Sequence, residues 1–425
     1  MPPIRFIHAA DLHLDAAFSG LSRDIPADFA ERLRTATFTA FRRLLDLCER
    51  ESPDFLLLAG DVYNQEDASV SAQLALRDGF RRLESLSIPV FLVHGNHDPL
   101  ASRLRSVRWP GNVTVFGELP DAVPVFRKGE GTPLAIIHGA SHASGRETRN
   151  LAALFRRTEA YGLHVGLLHA TPGDADGVAR YAPFSQEDLK ASGMDYWALG
   201  HIHDRREVCR EPLAAYPGCT QGLHINEPGE KGCLLVTAEA RPDGGYAVRT
   251  SFHPLGPAVW KTLDMDLGGA ASLDELENRL RTGLDRAAAE VWSGCEMLLV
   301  RLRLQGRTEL DGLLRKGTTC AELADRLRED GSGVPRIWIK DIDVATRPCV
   351  ERGALLERED LLGEVFRLSE AARTASGLQA LREGPLAPLF AHARAGKALE
   401  PLTDEELARL LDDAESLCLD LLEND

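Results

Sequence analysis

The sequence feature that most limits the possible folds is a series of short apolar runs, each followed at once by polar side chains. Runs such as FLLLA at 55–59 and PVFLV at 89–93 have the length and composition of buried strands, so the polar side chains should stand at strand ends. The motifs are ADLHLD, LLLAGDVYN, VHGNHD, GLLHATPG and ALGHIHD, and their polar members are Asp11, His13, Asp61, Asn96, His169, His201 and His203.

Brought to one place, these side chains would form a metal site. Carboxylate oxygens, an amide oxygen and imidazole nitrogens make a mixed ligand set suited to hard or borderline divalent metals. The set is large enough for two ions that share one bridging carboxylate, the arrangement that splits phosphate esters. Any one motif alone is more typical of a turn, a strand end or a core histidine. Their joint occurrence favours the metal site.

The spacing of apolar residues predicts an α/β fold with two sheets. Predicted strands alternate with helix-like segments at 29–51 and 69–85, and this alternation favours parallel strands with helices on both outer faces. Turn signals at 227–229 and 242–245 predict antiparallel hairpins among the later strands. A two-sheet α/β sandwich accommodates both patterns. The predicted strands of this part are 4–8, 55–59, 90–93, 134–138, 165–169, 196–200, 216–218, 232–238 and 246–252.

We expect three regions in the chain. Residues 1–255 form the sandwich, and the segment HPLGP at 253–257 marks its end. Residues 256–345 alternate predicted strands and helices and form a small α+β domain. Residues 346–425 are helical, and the final helix carries an apolar stripe that either packs on this protein or docks a partner. The stripe comprises Leu407, Leu410, Leu411, Ala414, Leu417, Leu421 and Leu422.

Charge and cysteine content limit the setting of the protein. The net charge of −16 argues against a general affinity for nucleic acid, but ten acids against two basic residues in the last thirty positions account for half of it. The rest of the chain leaves room for a local basic groove. The eight cysteines form no Cys-x-x-Cys pair. No signal peptide is visible, and no apolar run approaches the roughly 20 residues of a membrane helix. We therefore expect a cytoplasmic protein with reduced thiols and no membrane contact.

Residues beside the ligands have predicted roles of their own. Asn96 can offer a neutral oxygen to a metal, which leaves the adjacent His97 free to face the substrate. Asp98 would then orient the His97 ring through a hydrogen bond. Gly60, directly before Asp61, would leave room for metals or phosphate near the backbone.

The series D-x-H, G-D, G-N-H-D, H and G-H-x-H resembles that of the calcineurin-like metallophosphoesterases. The longer strings FIHAADLHLD, LLLAGDVYN, VHGNHDP and ALGHIHD resemble the SbcD nuclease subunits of DNA repair. Within that group, the opening FIHAADLHLDAAFSGL is most similar to the bacterial YhaO-like proteins. The resemblance covers residues 4–255 well, the following small domain less well, and the residues past 347 weakly.

The resemblance implies a role for each ligand. One ion, usually manganese in assays of the family, would be held by Asp11, His13, Asp61 and His203. The second would be held by Asp61, Asn96, His169 and His201, so that Asp61 bridges the two. His97 resembles the family histidine that stabilises the transition state or protonates the leaving oxygen.

Substrate contacts are less sharply indicated. Archaeal members of the family carry a phosphate-binding histidine where this chain has Asn64, which is either a simple turn residue or a substrate contact. Arg103 and Arg105, with Arg108, follow GNHD closely and either track a DNA backbone or lie in a solvated loop.

The resemblance also implies a function and partners. We expect a metal-dependent DNA exonuclease or endonuclease in which residues 256–345 cap the active site. The C-terminal helices would dock an SbcC-like coiled-coil ATPase, and a homodimer is a further expectation. Two alternatives remain: a phosphatase or phosphodiesterase for nucleotides or other small phosphoesters, and a mainly scaffolding subunit.

Overall fold

The structure is a computed structural model of the chain. It describes residues 2–21, 25–64, 69–101, 107–174, 179–242, 244–329, 333–349, 352–391 and 402–423. The chain divides into two compact units. The first comprises Met1–Asp266, Leu273–Gln305 and Leu313–Ala345, and the second comprises Leu267–Ser272, Gly306–Gly312 and Thr346–Asp425.

The described residues form strands throughout the first 348 positions and helices in both units. The strands are β1 Ile4–Ala9, β2 Phe55–Ala59, β3 Val90–Val93, β4 Val113–Val115, β5 Asp121–Val125, β6 Ala135–Ala140, β7 Leu163–His169, β8 Tyr196–Gly200, β9 Arg206–Arg210, β10 Leu213–Tyr216, β11 Gly232–Ala240, β12 Tyr246–Pro254, β13 Ala258–Asp266, β14 Met297–Thr308 and β15 Arg336–Pro348. The helices are α1 Ala27–Arg34, α2 Ala36–Glu51, α3 Val70–Ser85, α4 Gln186–Ala191, α5 Leu273–Glu290, α6 Asp311–Leu314, α7 Thr319–Glu329, α8 Arg352–Leu356, α9 Leu361–Ala372, α10 Ala375–Glu383, α11 Ala387–Ala391 and α12 Asp404–Glu423.

The strands form two large sheets and one small sheet. Their orders are β12-β11-β1-β2-β3-β4, β5-β6-β7-β8-β10-β9 and β13-β14-β15. Strands β1 to β4 are parallel, whereas β11 and β12 are antiparallel additions. In the second sheet β6, β7, β8 and β10 are parallel, and the edge strands β5 and β9 are antiparallel. Parallel strands bring their carboxyl ends to one edge, and the predicted ligands follow those ends.

Both faces of the first sheet are buried. Leu57 lies with Phe6 in the core between the two large sheets. Its neighbours Leu56 and Leu58 point the other way and pack with Phe41 of α2 in a second core. A strand buried on both faces needs a continuous apolar run, and the sequence provides one at 55–59.

The second sheet is also covered on its outer face. Trp197 of β8 packs there against Phe155, with ring centroids 4.8 Å apart, and Leu189 of α4 joins the same core. Helices therefore lie on both outer faces of the two sheets, and the predicted two-sheet α/β sandwich is confirmed.

Two local predictions are wrong. The predicted helix over 29–51 is two helices, α1 and α2, which meet at Thr35. The predicted hairpin between 216–218 and 232–238 does not form, because β10 pairs in the second sheet and β11 in the first. Tyr216 is fully buried, and its hydroxyl donates to the carbonyl of Ala170 at 2.6 Å, which keeps β10 in the second sheet. The hairpin of β11 and β12 is confirmed.

The C-terminal helices have a small apolar core of their own. Leu355, Leu362, Phe366 and Leu419 form it. The apolar stripe predicted on α12 contributes none of these four residues: Leu407 is buried outside this core, whereas Leu410, Leu417, Leu421 and Leu422 are all more than 40% exposed. Packing of the whole stripe within this unit is therefore excluded. Across the described part of the chain, no helix combines the length and apolar character needed to cross a membrane.

Candidate metal centre

The predicted ligands lie where the strands of the two large sheets end. Asp11 and His13 follow β1, Asp61 follows β2, and Asn96 follows β3. His169 is the last residue of β7, and His201 and His203 follow β8. The structure brings six of them into two groups whose ligand atoms lie within 4.8 Å of one another: Asp11 with His13 and His203, and Asp61 with His169 and His201.

Asp61 lies between the two groups, and Asn96 joins the second. The Oδ2 atom of Asp61 is 3.3 Å from Nε2 of His169 and 4.0 Å from Nε2 of His13. Oδ1 of Asn96 is 3.1 Å from Nε2 of His169. His201 and His203 belong to different groups although only one residue separates them. The assignment of the ligands to two ions stays a prediction.

Two ligand rings are oriented by backbone carbonyls. Nδ1 of His169 lies 2.9 Å from the carbonyl oxygen of Ala59, and Nε2 of His201 lies 3.1 Å from that of Ala179. A carbonyl only accepts hydrogen bonds, so these nitrogens carry a proton, and the opposite ring nitrogen is the one that offers a lone pair to a metal when the ring is neutral.

The other two rings are oriented by side chains. Nδ1 of His13 lies 2.6 Å from Oδ1 of Asn64, and Nδ1 of His203 lies 2.5 Å from Oε1 of Glu227. Asn64 therefore contacts a predicted ligand directly and is more than a simple turn residue. Glu227 was not among the residues predicted from the sequence.

Backbone conformation at the site is unusual. Asp11, His13, Asp61 and His201 have positive φ angles of 52°, 40°, 50° and 104°. Such conformations are uncommon for residues with a side chain and persist where the surrounding structure holds them, frequently at functional sites.

Gly60 adds a packing constraint at the same place. It has φ 90°, and a Cβ there would come 2.5 Å from Nδ1 of His169. The space beside Gly60 is thus filled by the His169 ring, and not by metal or phosphate as the sequence suggested.

Asp98 holds the backbone around Asp61. Its Oδ1 accepts from the amides of Gly95 at 2.7 Å and Asp61 at 3.3 Å, and its Oδ2 accepts from Val62 at 3.1 Å. Among the described residues it makes no hydrogen bond to the His97 ring, and its oxygens accept from these amides instead. The predicted orientation of His97 by Asp98 is therefore wrong, and a catalytic role for Asp98 stays a prediction.

His97 stands at the mouth of the site. Its amide donates to Oδ1 of Asp61 at 2.9 Å, which fixes its backbone beside the two ligand groups. Its side chain is exposed, and its ring centroid is 5.3 Å from that of His13. A substrate phosphate held by the centre would lie within reach of this ring.

Burial and neighbouring charges set the protonation of the ligands. Burial lowers the pKa of His13 to about 4 and that of His201 to about 3, so both rings are neutral at physiological pH. Burial raises the pKa of Asp11 to about 6. Burial opposes protonation of His169 as well, but the Asp61 carboxylate outweighs it and raises the pKa of His169 to about 9. The same pairing holds the pKa of Asp61 well below its ordinary value, although burial acts in the opposite sense.

The donor set fits divalent metal ions. Nε2 of His13 and Nε2 of His203 face each other at 3.2 Å, while their outer nitrogens donate to oxygen acceptors. Lone pairs that converge at such distances in a buried site are stabilised by a cation between them. Buried carboxylates and neutral imidazoles are the ligands expected for two borderline divalent ions.

The arginines that follow GNHD are predicted substrate contacts. Arg103 and Arg105 lie outside the described residues, and their predicted contact with DNA stays a prediction. Arg108 is exposed. The sequence did not indicate Glu227, which reaches the centre from the segment between β10 and β11. Lys231, directly before β11, contacts the backbone of His203.

The two-sheet fold and the paired ligand groups define a metal-dependent hydrolase of phosphate esters, and comparison with known proteins makes the class specific. The family model for calcineurin-like phosphoesterases matches residues 4–205, and the model for the middle domain of metallophosphoesterase YhaO matches residues 260–347. The uncharacterised metallophosphoesterase YhaO of Bacillus subtilis is 34% identical over 388 residues, which cover 90% of this chain and 91% of that protein. This chain belongs to the calcineurin-like metallophosphoesterase family.

More distant similarities are found in sequence and in structure. The DNA double-strand break repair protein Mre11 of Aeropyrum pernix is 26% identical over 318 residues, which cover 68% of this chain and 69% of that protein. A dimetal phosphatase from Danio rerio aligns in structure with a TM-score of 0.34 and 14% identity, over 59% of this chain and 99% of that one. The family's fold implies bound divalent metal ions, and the described histidine and aspartate groups accord with that.

Proposed function

We propose that this protein is a manganese-dependent DNA nuclease. The observation that carries the proposal is the arrangement of two adjoining ligand groups with Asp61 between them and the exposed His97 beside them. A phosphodiester bound across the two groups would present its leaving oxygen to His97.

The chain's own residues have distinct tasks in this proposal. Divalent ions held by the centre would polarise the phosphate and lower the pKa of a water molecule. Asp61 holds the two halves of the site in register, because its carboxylate reaches both groups. His97 donates a proton or hydrogen bond to the leaving oxygen, a contribution of typically about 10²–10⁴ in rate. Asp98 keeps Asp61 in place through the backbone amides of the two motifs.

The choice of DNA as substrate is supported by relatives. Several proteins that are 26% identical to this chain over 216 to 318 aligned residues are named as DNA double-strand break repair proteins. The net charge of −16 does not oppose this choice, since bound cations would add positive charge where the phosphate backbone lies.

Cleavage assays with matched substrates test the proposal. Purified protein with manganese should cut single- or double-stranded oligonucleotides, and Asp61→Ala should not. Parallel reactions with bis(p-nitrophenyl) phosphate and nucleotides measure the competing activity on small phosphoesters. Faster turnover of nucleotides than of oligonucleotides would favour the small-molecule phosphodiesterase, and no metal-dependent turnover of any substrate would favour the scaffolding subunit.

We further propose that the exposed side of α12 docks a coiled-coil ATPase of the SbcC type. Leu410, Leu417 and Leu421 share one side of this helix at heptad-like spacing and are 44%, 56% and 65% exposed. A helix that exposes such a stripe beside another protein's coiled coil would bury it there. Sedimentation of the full chain with and without the coiled-coil base of such an ATPase measures the association, and also shows whether the protein forms the expected homodimer.

A further inference from the structure

We propose that Glu227 is a positioning residue that fixes the tautomer and the donor strength of His203 in the first ligand group. Three of the four ligand rings donate their outer N–H to a neutral oxygen, whereas His203 donates to a carboxylate. A carboxylate acceptor makes the opposite ring nitrogen a stronger metal ligand than a carbonyl does. The inference deepens the proposed function by naming a residue outside the ligand set that controls one metal position.

The carboxylate of Glu227 is itself held in place. Its Oε1 is 2.5 Å from Nδ1 of His203, and its Oε2 accepts from the amide of Leu223 at 2.6 Å. The amide of Glu227 donates to the carbonyl of His224 at 2.9 Å. Both oxygens therefore have defined partners, and the side chain, at 20% exposure, is mostly shielded from solvent.

The same chain segment also fixes the backbone of His203. Nζ of Lys231 donates to the His203 carbonyl at 3.0 Å and to Oδ1 of Asp204 at 2.9 Å. The amide of Cys219 donates to the same carbonyl at 3.3 Å. The segment from Cys219 to Lys231 thus contacts both the ring and the main chain of His203. These contacts fix the orientation of the ring as a metal ligand.

An alternative interpretation of Glu227 is that it binds a third metal ion itself. Ligand atoms of His203, Cys219 and Glu227 lie within 4.8 Å of one another. Two features oppose this arrangement. Nδ1 of His203 already donates to Glu227, and Sγ of Cys219 donates to the carbonyl of His203 at 3.8 Å, which requires the thiol and not the thiolate that binds metals. The number of bound ions separates the two arrangements.

Calorimetric titration of the metal-free full chain with manganese, without DNA, tests the role. We expect two bound ions in the wild type. Glu227→Gln keeps the size of the side chain but removes the charge, and one ion should then bind roughly 10–100-fold more weakly while the other is unchanged. Glu230→Gln is the matched control, because Glu230 lies in the same segment and contacts only the amide of Trp292 among its described hydrogen-bond partners. It should bind both ions as the wild type does.

A double-mutant cycle distinguishes action through His203 from a general charge effect. In a His203→Ala background, Glu227→Gln should cause no further loss of metal affinity. Three outcomes would overturn the proposal. The first is an equal loss of metal affinity on Glu227→Gln with and without His203, and the second is wild-type metal affinity in Glu227→Gln. The third is three bound ions in the wild type and two in the variant. Glu227→Asp, which keeps the charge but withdraws it by one methylene, gives the same comparison if the Gln variant does not fold. These titrations contain no DNA, so their results test the role of Glu227 even if the protein is not a nuclease.

Discussion

The metal centre and the C-terminal helices use their side chains in opposite ways. In the centre, Asp11, Asp61 and His169 are at most 1% exposed although they are polar or charged, and the ligand rings are held by acceptors on their outer nitrogens. Among the C-terminal helices, leucines such as Leu417 and Leu421 are exposed although they are apolar. Buried polar groups are tolerated only where they are paired, and exposed apolar groups gain only when covered. Among the described residues, the polar groups of the first region are therefore paired, whereas the apolar stripe of the second is left exposed.

The largest effect that would sharpen this comparison is loss of the bridging carboxylate. Asp61→Ala removes a carboxylate that reaches both ligand groups, and metal-dependent cleavage should fall by at least about 10³-fold. Steady-state cleavage of an oligonucleotide measures it. Asp46→Ala, which removes an exposed carboxylate from α2, serves as control and should keep full activity. Equal rates for the two variants would remove the centre from the reaction.

Next in size is the effect of His97, which stands outside the ligand groups. His97→Ala should lower kcat by about 10²–10³-fold, because the leaving oxygen loses its proton donor. The metal affinity should stay within about twofold, since His97 is not a ligand in this arrangement. Calorimetry and kinetics on the same preparation separate the two quantities. A parallel loss of metal binding would place His97 among the ligands instead.

Within α12, two neighbouring leucines should differ sharply. Leu419 is 2% exposed, and Leu419→Ala should lower the free energy of unfolding of the helical unit by about 2–4 kcal/mol, because it leaves a cavity. Leu417 is 56% exposed, and Leu417→Ala should change it by less than about 0.5 kcal/mol.

Hydrogen exchange of α12 amides in the full chain measures the local free energy of opening for both variants. Strong destabilisation by Leu417→Ala would mean that the exposed stripe is covered within this protein, and it would end the contrast between the two regions.

The smallest effect concerns a buried polar pair away from the centre. Nε2 of His138 and Nδ1 of His164 are 3.0 Å apart, and burial lowers the pKa of His138 from 6.5 to about 4. Between pH 6.5 and pH 4, His138 is therefore protonated in the unfolded chain but neutral in the folded chain. The contribution of neutral His138 to stability is present above pH 6.5 and is lost as the pH falls towards 4.

Replacement of this histidine isolates the contribution. Between pH 7 and pH 4, wild-type protein in chelator should lose about 2 kcal/mol more of its unfolding free energy than His138→Gln. Urea unfolding at each pH measures the difference. Parallel curves for the two proteins would show that His138 is not kept neutral by its surroundings.

The sequence predicts the centre well because strand-end ligands leave a local signal. The bounds of β2, β3 and β8 are those predicted, and Asp61, Asn96 and His201 follow them within three residues. In such strands a buried apolar run is followed by polar residues. This pattern can be recognised from the local sequence, without knowledge of distant contacts.

Other features depend on contacts that no local pattern records. Glu227 reaches His203 only because β10 and β11 belong to different sheets, and the turn signal at 227–229 suggested a tight hairpin instead. The stripe on α12 has helical spacing, but whether Leu417 or Leu419 is buried depends on which side faces α9. Asp98 acts through backbone amides, and these have no sequence signature.

Gly60 limits how this centre can change during evolution. Its positive φ angle and the His169 ring beside its Cα exclude any larger side chain at that position without displacing a ligand from the other sheet. In a mutational scan, position 60 should therefore tolerate substitution as poorly as the ligands do, although a glycine has no group with which to bind a metal or a substrate. The close approach of β2 and β7, which are distant in the sequence, therefore depends on a residue without a side chain at position 60.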